Sequence, residues 1–356
     1  MGELRLMKGN EAVAEAAIRA GLDAYFGYPI TPQSEVLEYL TLERPEERTG
    51  MVVLQAESEV AAINMVYGAA GTGKKVMTSS SSPGISLKQE GISYIAGAEL
   101  PCLILNVVRG GPGLGTIQPS QADYFQSTKG GGHGDYHLFV LAPSSVQEMA
   151  DFVDKGMEMA FKYRNPVMIL SDGLIGQMME KVELPEQKER VNSFDQSWVI
   201  TGKTKDRERN IITSLNLDPE LQYQHNLKLQ EKYERMKEDV MFETFHCDDA
   251  EFLLVAYGSS ARICQKAVDV ARSRGKKLGL LRPITLFPFP GEVIAKYAKQ
   301  VKGILSVELS SGQMVEDVKL AVNGRVPVYH YGTPGGKIHS PDDILNEIEE
   351  KLMGGY

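Results

Sequence analysis

The chain has 356 residues, 47 acidic and 38 basic side chains, a formal net charge of −9 and three cysteines. At roughly 150 residues per domain, that length allows two domains and a buried core without disulfide or metal staples. The acidic balance argues against a nucleic-acid or anionic-membrane partner, and Cys102, Cys247 and Cys264 are too scattered for a disulfide framework and too few for a four-iron cluster.

No signal-peptide pattern follows the start, and no apolar run approaches the ~18 residues of a membrane helix. The chain is expected to be cytoplasmic. Asn10 reads as a helix N-cap, Val13, Ala16, Ala17 and Ala20 as the buried stripe, and Gly21 as the stop. Strands are predicted at Ala24–Tyr28, Met51–Leu54, Lys75–Thr78, Pro101–Val108, His137–Leu141 and Val167–Leu170. Helices are predicted near Pro32–Leu40, Glu59–Ala70, Ile85–Ala98 and Ser145–Tyr163. The strands are apolar throughout, as in a sheet covered on both faces, and the alternation implies a doubly wound parallel α/β sheet.

From Lys203 to Glu251, 20 of 49 residues are charged. Asp218-Pro219 opens a helix whose Leu229, Tyr233, Met236 and Val240 form a stripe, with Glu231 and Arg235 spaced to pair. A second α/β series follows, with strands near Phe252–Tyr257, Leu278–Arg282, Ile304–Glu308 and Val326–Tyr331. Its helices are expected near Ser260–Arg274, Gly291–Gln300, Gln313–Val322 and Pro341–Leu352. The organisation expected is a first domain over 1–200, a charged helical linker over 201–250 and a second α/β domain over 251–356.

In open α/β sheets, ligands bind beyond the carboxyl ends of the strands. Five segments fall there: Gly27–Pro32, Gln55–Glu59, Thr78–Gly84, Arg109–Gly115 and Ser171–Gly173. Eight of the 26 residues from Gly110 to Asp135 are glycine, a sign of backbone held close to a ligand. Gly68–Lys75 nearly spells a phosphate-binding GxxxxGK[ST] loop. Lys75 replaces the hydroxyl, and the run follows a helix instead of a strand, so a glycine-rich helix end is the better reading.

Gly27-Tyr28-Pro29-Ile30-Thr31-Pro32, preceded by Lys8-Gly9-Asn10-Glu11-Ala12, resembles the α-type subunit of 2-oxoacid:ferredoxin oxidoreductases. The resemblance continues through Glu57–Gly68, Ser82–Leu87 and Arg109–Gly113. In the second domain it runs through Ala256–Ser260, Leu281–Pro290 and Glu308–Met314. Within the family, Pro119–Gln126 and Lys129–Asp135 are most similar to the branched-chain type, which acts on 3-methyl-2-oxobutanoate. The resemblance implies a thiamine diphosphate enzyme's pyrimidine-binding domain followed by a transketolase C-terminal-like domain. It also implies an oxidative decarboxylation that forms an acyl-CoA and reduces ferredoxin. 2-Oxoglutarate or pyruvate stays open as substrate, and a nucleotide-binding protein or a non-catalytic scaffold subunit as the reading from another class.

By alignment to the family motif, Glu59 holds the position of the carboxylate on the ring nitrogen of the thiamine aminopyrimidine, where burial favours a shared proton. Glu57 competes for that role, and a plain first-turn Glu is the structural alternative. Pro29, Ser81 and Ser82 are implied to line the cofactor pocket. Thr31 and Arg109 match the family's substrate-carboxylate positions; Arg109 offers a two-pronged donor. His133, in the glycine-rich loop, is the candidate proton-transfer group. Ser171-Asp172-Gly173 lacks the first glycine of a Gly-Asp-Gly magnesium–diphosphate signature, so the cofactor is expected to be shared. A second subunit would hold Mg²⁺ and the diphosphate, and the iron–sulfur clusters would also sit on partner chains. Cys102 is expected to be core.

Overall fold

The computed structural model describes residues 3–190, 194–203 and 205–353. The strands are β1 (Glu3–Lys8), β2 (Ala24–Gly27), β3 (Val52–Gln55), β4 (Val76–Ser80), β5 (Cys102–Val108), β6 (Phe139–Leu141) and β7 (Pro166–Asp172). They continue as β8 (Met179–Leu184), β9 (Phe242–Phe245), β10 (Phe252–Val255), β11 (Leu278–Pro283), β12 (Thr285–Phe287), β13 (Gly303–Glu308) and β14 (Val328–Gly332). One sheet runs β12-β6-β7-β5-β4-β2-β3, parallel except for β12. A second runs β14-β13-β10-β11-β9, parallel except for β9.

Two helix layers cover the larger sheet. Gly9–Arg19 packs on Val146–Tyr163, and Glu59–Gly71 packs on Ser82–Gly97. Every residue of β4, β5 and β7 is buried, which is why β5 and β7 read as largely apolar runs, while β4 turns to Thr and Ser toward its carboxyl end. The chain steps from β2 outward to β3, then returns across β2 to β4. That reversal sets the crevice of the sheet at the carboxyl ends of β2 and β4.

The structure departs from the predicted elements in three places along the sheets and first helix. Asn10 does not cap the first helix; Glu11 does, accepting from the Lys8 amide at 3.0 Å. Asn10 instead donates to the Pro32 carbonyl at 2.7 Å and Glu35 at 3.0 Å, fastening the loop after β2. β1 and β8 form a separate antiparallel ribbon that buries Met7, Val182 and Leu184 but leaves Leu4 and Leu6 exposed, so apolar residues on both faces blur its signal in the sequence. β12 leaves its own series and pairs with β6 of the larger sheet.

The charged segment differs in detail too. Its helix spans Pro219–Met236 and buries Leu229, Tyr233 and Met236, but ends before Val240. Glu231 and Arg235 are not among the ion pairs of the described residues; Lys228 reaches Glu99 instead. An exposed i,i+4 pair stabilises by only a few tenths of a kcal/mol, so a contact that docks the helix prevails.

The segment Ser120–Phe125 is the polar seam between the two sheets. Gln121 Nε2 donates to the Tyr257 carbonyl at 2.9 Å, and its Oε1 accepts from Ser260 Oγ at 2.8 Å and the Leu309 amide at 2.9 Å. Tyr124 donates to Asp317 at 2.6 Å, and Gln313 bridges the Ala122 carbonyl and the Phe125 amide. Each buried group left without its partner costs about 1–3 kcal/mol. Gln121→Ala should therefore lower unfolding stability by about 2–4 kcal/mol in urea titrations. A change within about 0.5 kcal/mol, the range of an ordinary surface substitution, would contradict this role.

Candidate functional site

The crevice is lined from the ends of β2, β3, β4 and β5. After β3, Ser58 caps the helix Glu59–Gly71, accepting from the Ala61 amide at 3.1 Å. That cap fixes the register of the helix and turns Glu59 inward, 6% exposed, while Glu57 stays exposed outside it. The Glu59 carboxylate has no hydrogen-bond partner among the described residues. It lies against Gly84 in the first turn of the next helix. A methyl group on Gly84 would sit 2.7 Å from Glu59 Oε1 and 2.1 Å from Ser80 Oγ.

Seven residues along, a methyl on Gly91 would meet Ile63 at 2.6 Å. Two glycines thus let helices Glu59–Gly71 and Ser82–Gly97 approach closely, and Glu59 and Ile63 fill the gaps one helical turn apart.

Lys88 lies between those glycines and is fully buried. Its Nζ donates to Thr78 Oγ1 at 2.8 Å. Burial pulls the ammonium down to about 8, while the Glu59 charge holds it up. Sequence reading passed over Lys88. It was visible as the one charged residue in the stripe Ile85, Lys88, Ile92, Ile95, whose spacing of three, four and three marks a buried helix face.

The mouth of the crevice carries the loop after β2, where Pro29 and Thr31 are exposed. Arg109 follows β5. Its Nη1 donates to the Thr31 carbonyl at 2.9 Å and its Nη2 to the Leu114 carbonyl at 3.3 Å. Ser82 closes the ring: its Oγ donates to the Arg109 carbonyl at 3.2 Å, and the Arg109 amide lies 3.1 Å from that same Oγ. Asn106 Oδ1 accepts from the Ser82 amide at 3.2 Å, and Asn106 Nδ2 donates to Asp123 at 2.9 Å. Burial pushes the Asp123 carboxyl upward. Asn106 was also legible, as a lone polar residue inside the apolar run of β5.

Arg109, Ser82 and Asp123 face a cleft of about 630 Å³ shared with Leu114, Gln313 and Gly335. Thus Glu59, Ser81, Ser82, Thr31 and Arg109 gather at one sheet edge, with Pro29 beside Thr31 in sequence. His133 does not join them. It lines a separate cavity of about 140 Å³ with Ser93, Tyr94 and His225, and its Nδ1 sits 3.4 Å from Ser93 Oγ. Ser93 is 11 residues from Ser82 along one helix, about 16 Å at 1.5 Å per residue. The glycine-rich loop folds over the far end of that helix, where Tyr136 bonds the Gly132 amide and Gln89.

Asp172 caps the helix Gly173–Gln177, accepting from the Leu174 and Ile175 amides and from Ser259 Oγ at 2.6 Å. All its capacity is used inside the fold, which fits a strand-end turn. Gly68–Lys75 closes a helix and leads into β4, with Lys74 3.6 Å from Asp23. The three cysteines are buried free thiols; burial pushes Cys102 up to about 12.

A thiamine ring would be a good match for this crevice. Ser80 Oγ, Ser81 Oγ and Arg109 Nε are buried without hydrogen-bond partners among the described residues. With the Glu59 carboxylate, they leave the edge of the crevice carrying polar groups that the described residues do not pair.

Comparison with known proteins gives the same class. Residues 15–243 match the family described as pyruvate flavodoxin/ferredoxin oxidoreductase, thiamine diphosphate-binding, and residues 250–344 match pyruvate:ferredoxin oxidoreductase core domain II. The chain belongs to this family of 2-oxoacid oxidoreductases. It is 52% identical over 347 residues to the ketoisovalerate oxidoreductase subunit VorB of Methanothermobacter marburgensis, covering 97% of both chains. It is 36% identical to the 2-oxoglutarate synthase subunit KorA of Archaeoglobus fulgidus, covering 98% of this chain and 100% of that one.

Among solved structures, it superposes on the 2-oxoglutarate:ferredoxin oxidoreductase of Magnetococcus marinus, solved with 2-oxoglutarate, coenzyme A and succinyl-CoA bound. The TM-score is 0.86 at 26% identity, over 99% of this chain and 66% of that one. An inactive split-gene transketolase tetramer shares the fold, with a TM-score of 0.61 at 13% identity. No helix among the described residues is long and apolar enough to cross a membrane.

Lys88 makes stability depend on pH. Its ordinary value of 10.5 applies to the unfolded chain and about 8 to the folded one. Between those limits the unfolded chain binds the extra proton, so this group's contribution to stability rises with pH. Urea unfolding of wild type and Lys88→Met should show wild type gaining on the variant from pH 8 to 10.5. A constant difference would contradict the burial of the charge.

Proposed function

We propose that this chain is the aminopyrimidine-side subunit of a thiamine diphosphate-dependent enzyme that oxidatively decarboxylates a branched-chain 2-oxoacid, 3-methyl-2-oxobutanoate, to its acyl-CoA and passes electrons to ferredoxin. The observation that carries it is Glu59: a buried carboxylate with no hydrogen-bond partner among the described residues, at the crevice of a thiamine-family sheet. Bound thiamine diphosphate would supply the nucleophilic carbon and the electron sink that decarboxylation of a 2-oxoacid needs. Glu59 holds a proton at the ring nitrogen, and Ser81, Ser82 and the backbone of Pro29 shape the pocket around the ring. Thr31 and Arg109 orient the substrate carboxylate; Arg109 Nη1 and Nη2 each donate to one backbone carbonyl, and the guanidinium keeps three further N–H donors.

The partner requirements follow from what the chain offers. Asp172 is spent as a helix cap, so Mg²⁺ and the diphosphate are assigned to a second subunit. Three buried thiols leave the iron–sulfur clusters to partner chains as well. The divisions 1–200, 201–250 and 251–356 are retained as the domain plan, with the middle segment docked on the first unit. His133, set apart from the cleft, is assigned to contact with a partner chain.

The cleft favours a monocarboxylate. Arg109 is the only basic residue among its lining residues, Asp123 is acidic, and Pro83, Pro112, Leu114 and Pro334 supply apolar surface. A second carboxylate, as in 2-oxoglutarate, would face Asp123 without a cation.

The chain, assembled anaerobically with its partner subunits, should reduce viologen with 3-methyl-2-oxobutanoate at the highest kcat/KM of a panel including pyruvate and 2-oxoglutarate. Preference for 2-oxoglutarate would overturn the substrate assignment. Glu59→Gln should lose about 10²–10⁴-fold in kcat, the worth of a positioned proton-transfer group. Glu57→Gln should stay near wild type, and the reverse pattern would move the role to Glu57.

A further inference from the structure

Lys88 is a buried cation that nothing in the proposed reaction uses. Its side chain is fully buried and bonds Thr78 of β4, and Lys88 is not among the ion pairs of the described residues. Lys88 follows Gly84 by four residues, so both occupy one face of the same helix, and the Glu59 carboxylate lies against Gly84. Thr78, which takes the Lys88 proton donor, precedes Ser80 by two residues and shares its face of β4. Lys88 thus sits one helical turn beyond the Gly84 contact that Glu59 makes, and the Glu59 charge acts on its ammonium. Glu59 is the charged group that faces Lys88 from the elements packed on it.

We propose that Lys88 is a positioning residue, the fixed countercharge that keeps the Glu59 carboxylate ionised in the empty site, so that a proton is drawn in only when the aminopyrimidine docks. The proposal rests on the assignment of Glu59 to the ring nitrogen. A bare buried carboxylate without hydrogen bonds or a countercharge takes the neutral, protonated form. An ammonium one turn beyond the Gly84 contact, in a medium that screens poorly, favours the ionised form. The proton then moves from solvent to the pair formed by Glu59 and the ring nitrogen, and Lys88 keeps its own charge throughout.

That difference is countable. Complexes assembled with their partner subunits and stripped of cofactor are titrated with thiamine diphosphate at pH 7, by calorimetry in buffers of different ionisation enthalpy. Phosphate protonation contributes equally to all variants and cancels in the difference. Wild type should take up about one proton more per site than Lys88→Met. Its affinity should fall about tenfold per pH unit relative to the variant over pH 6.5–7.5, as linkage of one proton requires. Lys88→Gln, which keeps a donor for Thr78 without the charge, should behave like Lys88→Met and answers the question if the methionine variant does not assemble.

Uptake and pH dependence equal to wild type in both neutral variants would overturn the role of Lys88. Glu59→Gln supplies the separate control and should lose the extra proton. If Glu59→Gln still takes it up, the assignment of Glu59 to the ring fails, and the role of Lys88 with it.

Discussion

A parallel sheet covered by helices on both faces has one place left for chemistry, the carboxyl edge where the chain reverses its winding. Here that edge is the pair of ends at β2 and β4, and the nearby polar groups converge on it. The constraint extends to the helix layer above. Gly84 and Gly91 bring two helices close enough to close off solvent. That closure is what makes a carboxylate at position 59 and an ammonium at position 88 interact as charges in protein rather than as charges in water. Looser packing would leave both groups hydrated and weakly coupled.

The second sheet completes the site without supplying its central carboxylate. Gln121 ties Tyr257, Ser260 and Leu309 to the loop that follows β5, and β12 is added to the edge of the larger sheet. The same seam brings Gln313 and Gly335 to the cleft beside Arg109. The cleft therefore exists only when the two sheets are docked, so rigidity of the seam and shape of the cleft are one property.

Much of this was legible because the interior strands are dry. β5 and β7 announce themselves as largely apolar runs, and Glu59 was placed by the resemblance of its segment to the family motif. Tertiary choices were not legible. β12 is three residues long, and nothing local says which sheet it joins. The ribbon of β1 and β8 buries Val182 and Leu184 but exposes Leu4 and Leu6, so its apolar residues do not mark one face. His133 was linked to the cleft through a shared glycine-rich stretch, but nearness in sequence carried it about 16 Å away along a helix. Lys88 was readable as an intruder in an apolar stripe, yet its meaning required knowing that Glu59 lies against Gly84, one turn away on the same helix.

The account stands on the place of one carboxylate. Its most direct test is an experimental structure of the assembled complex with thiamine diphosphate bound. The expected result is a Glu59 carboxylate oxygen about 2.6–3.2 Å from the aminopyrimidine ring nitrogen, a normal hydrogen bond. The contradicting result is that nitrogen bonded to Glu57, or to a residue of another subunit, with Glu59 turned away from the ring.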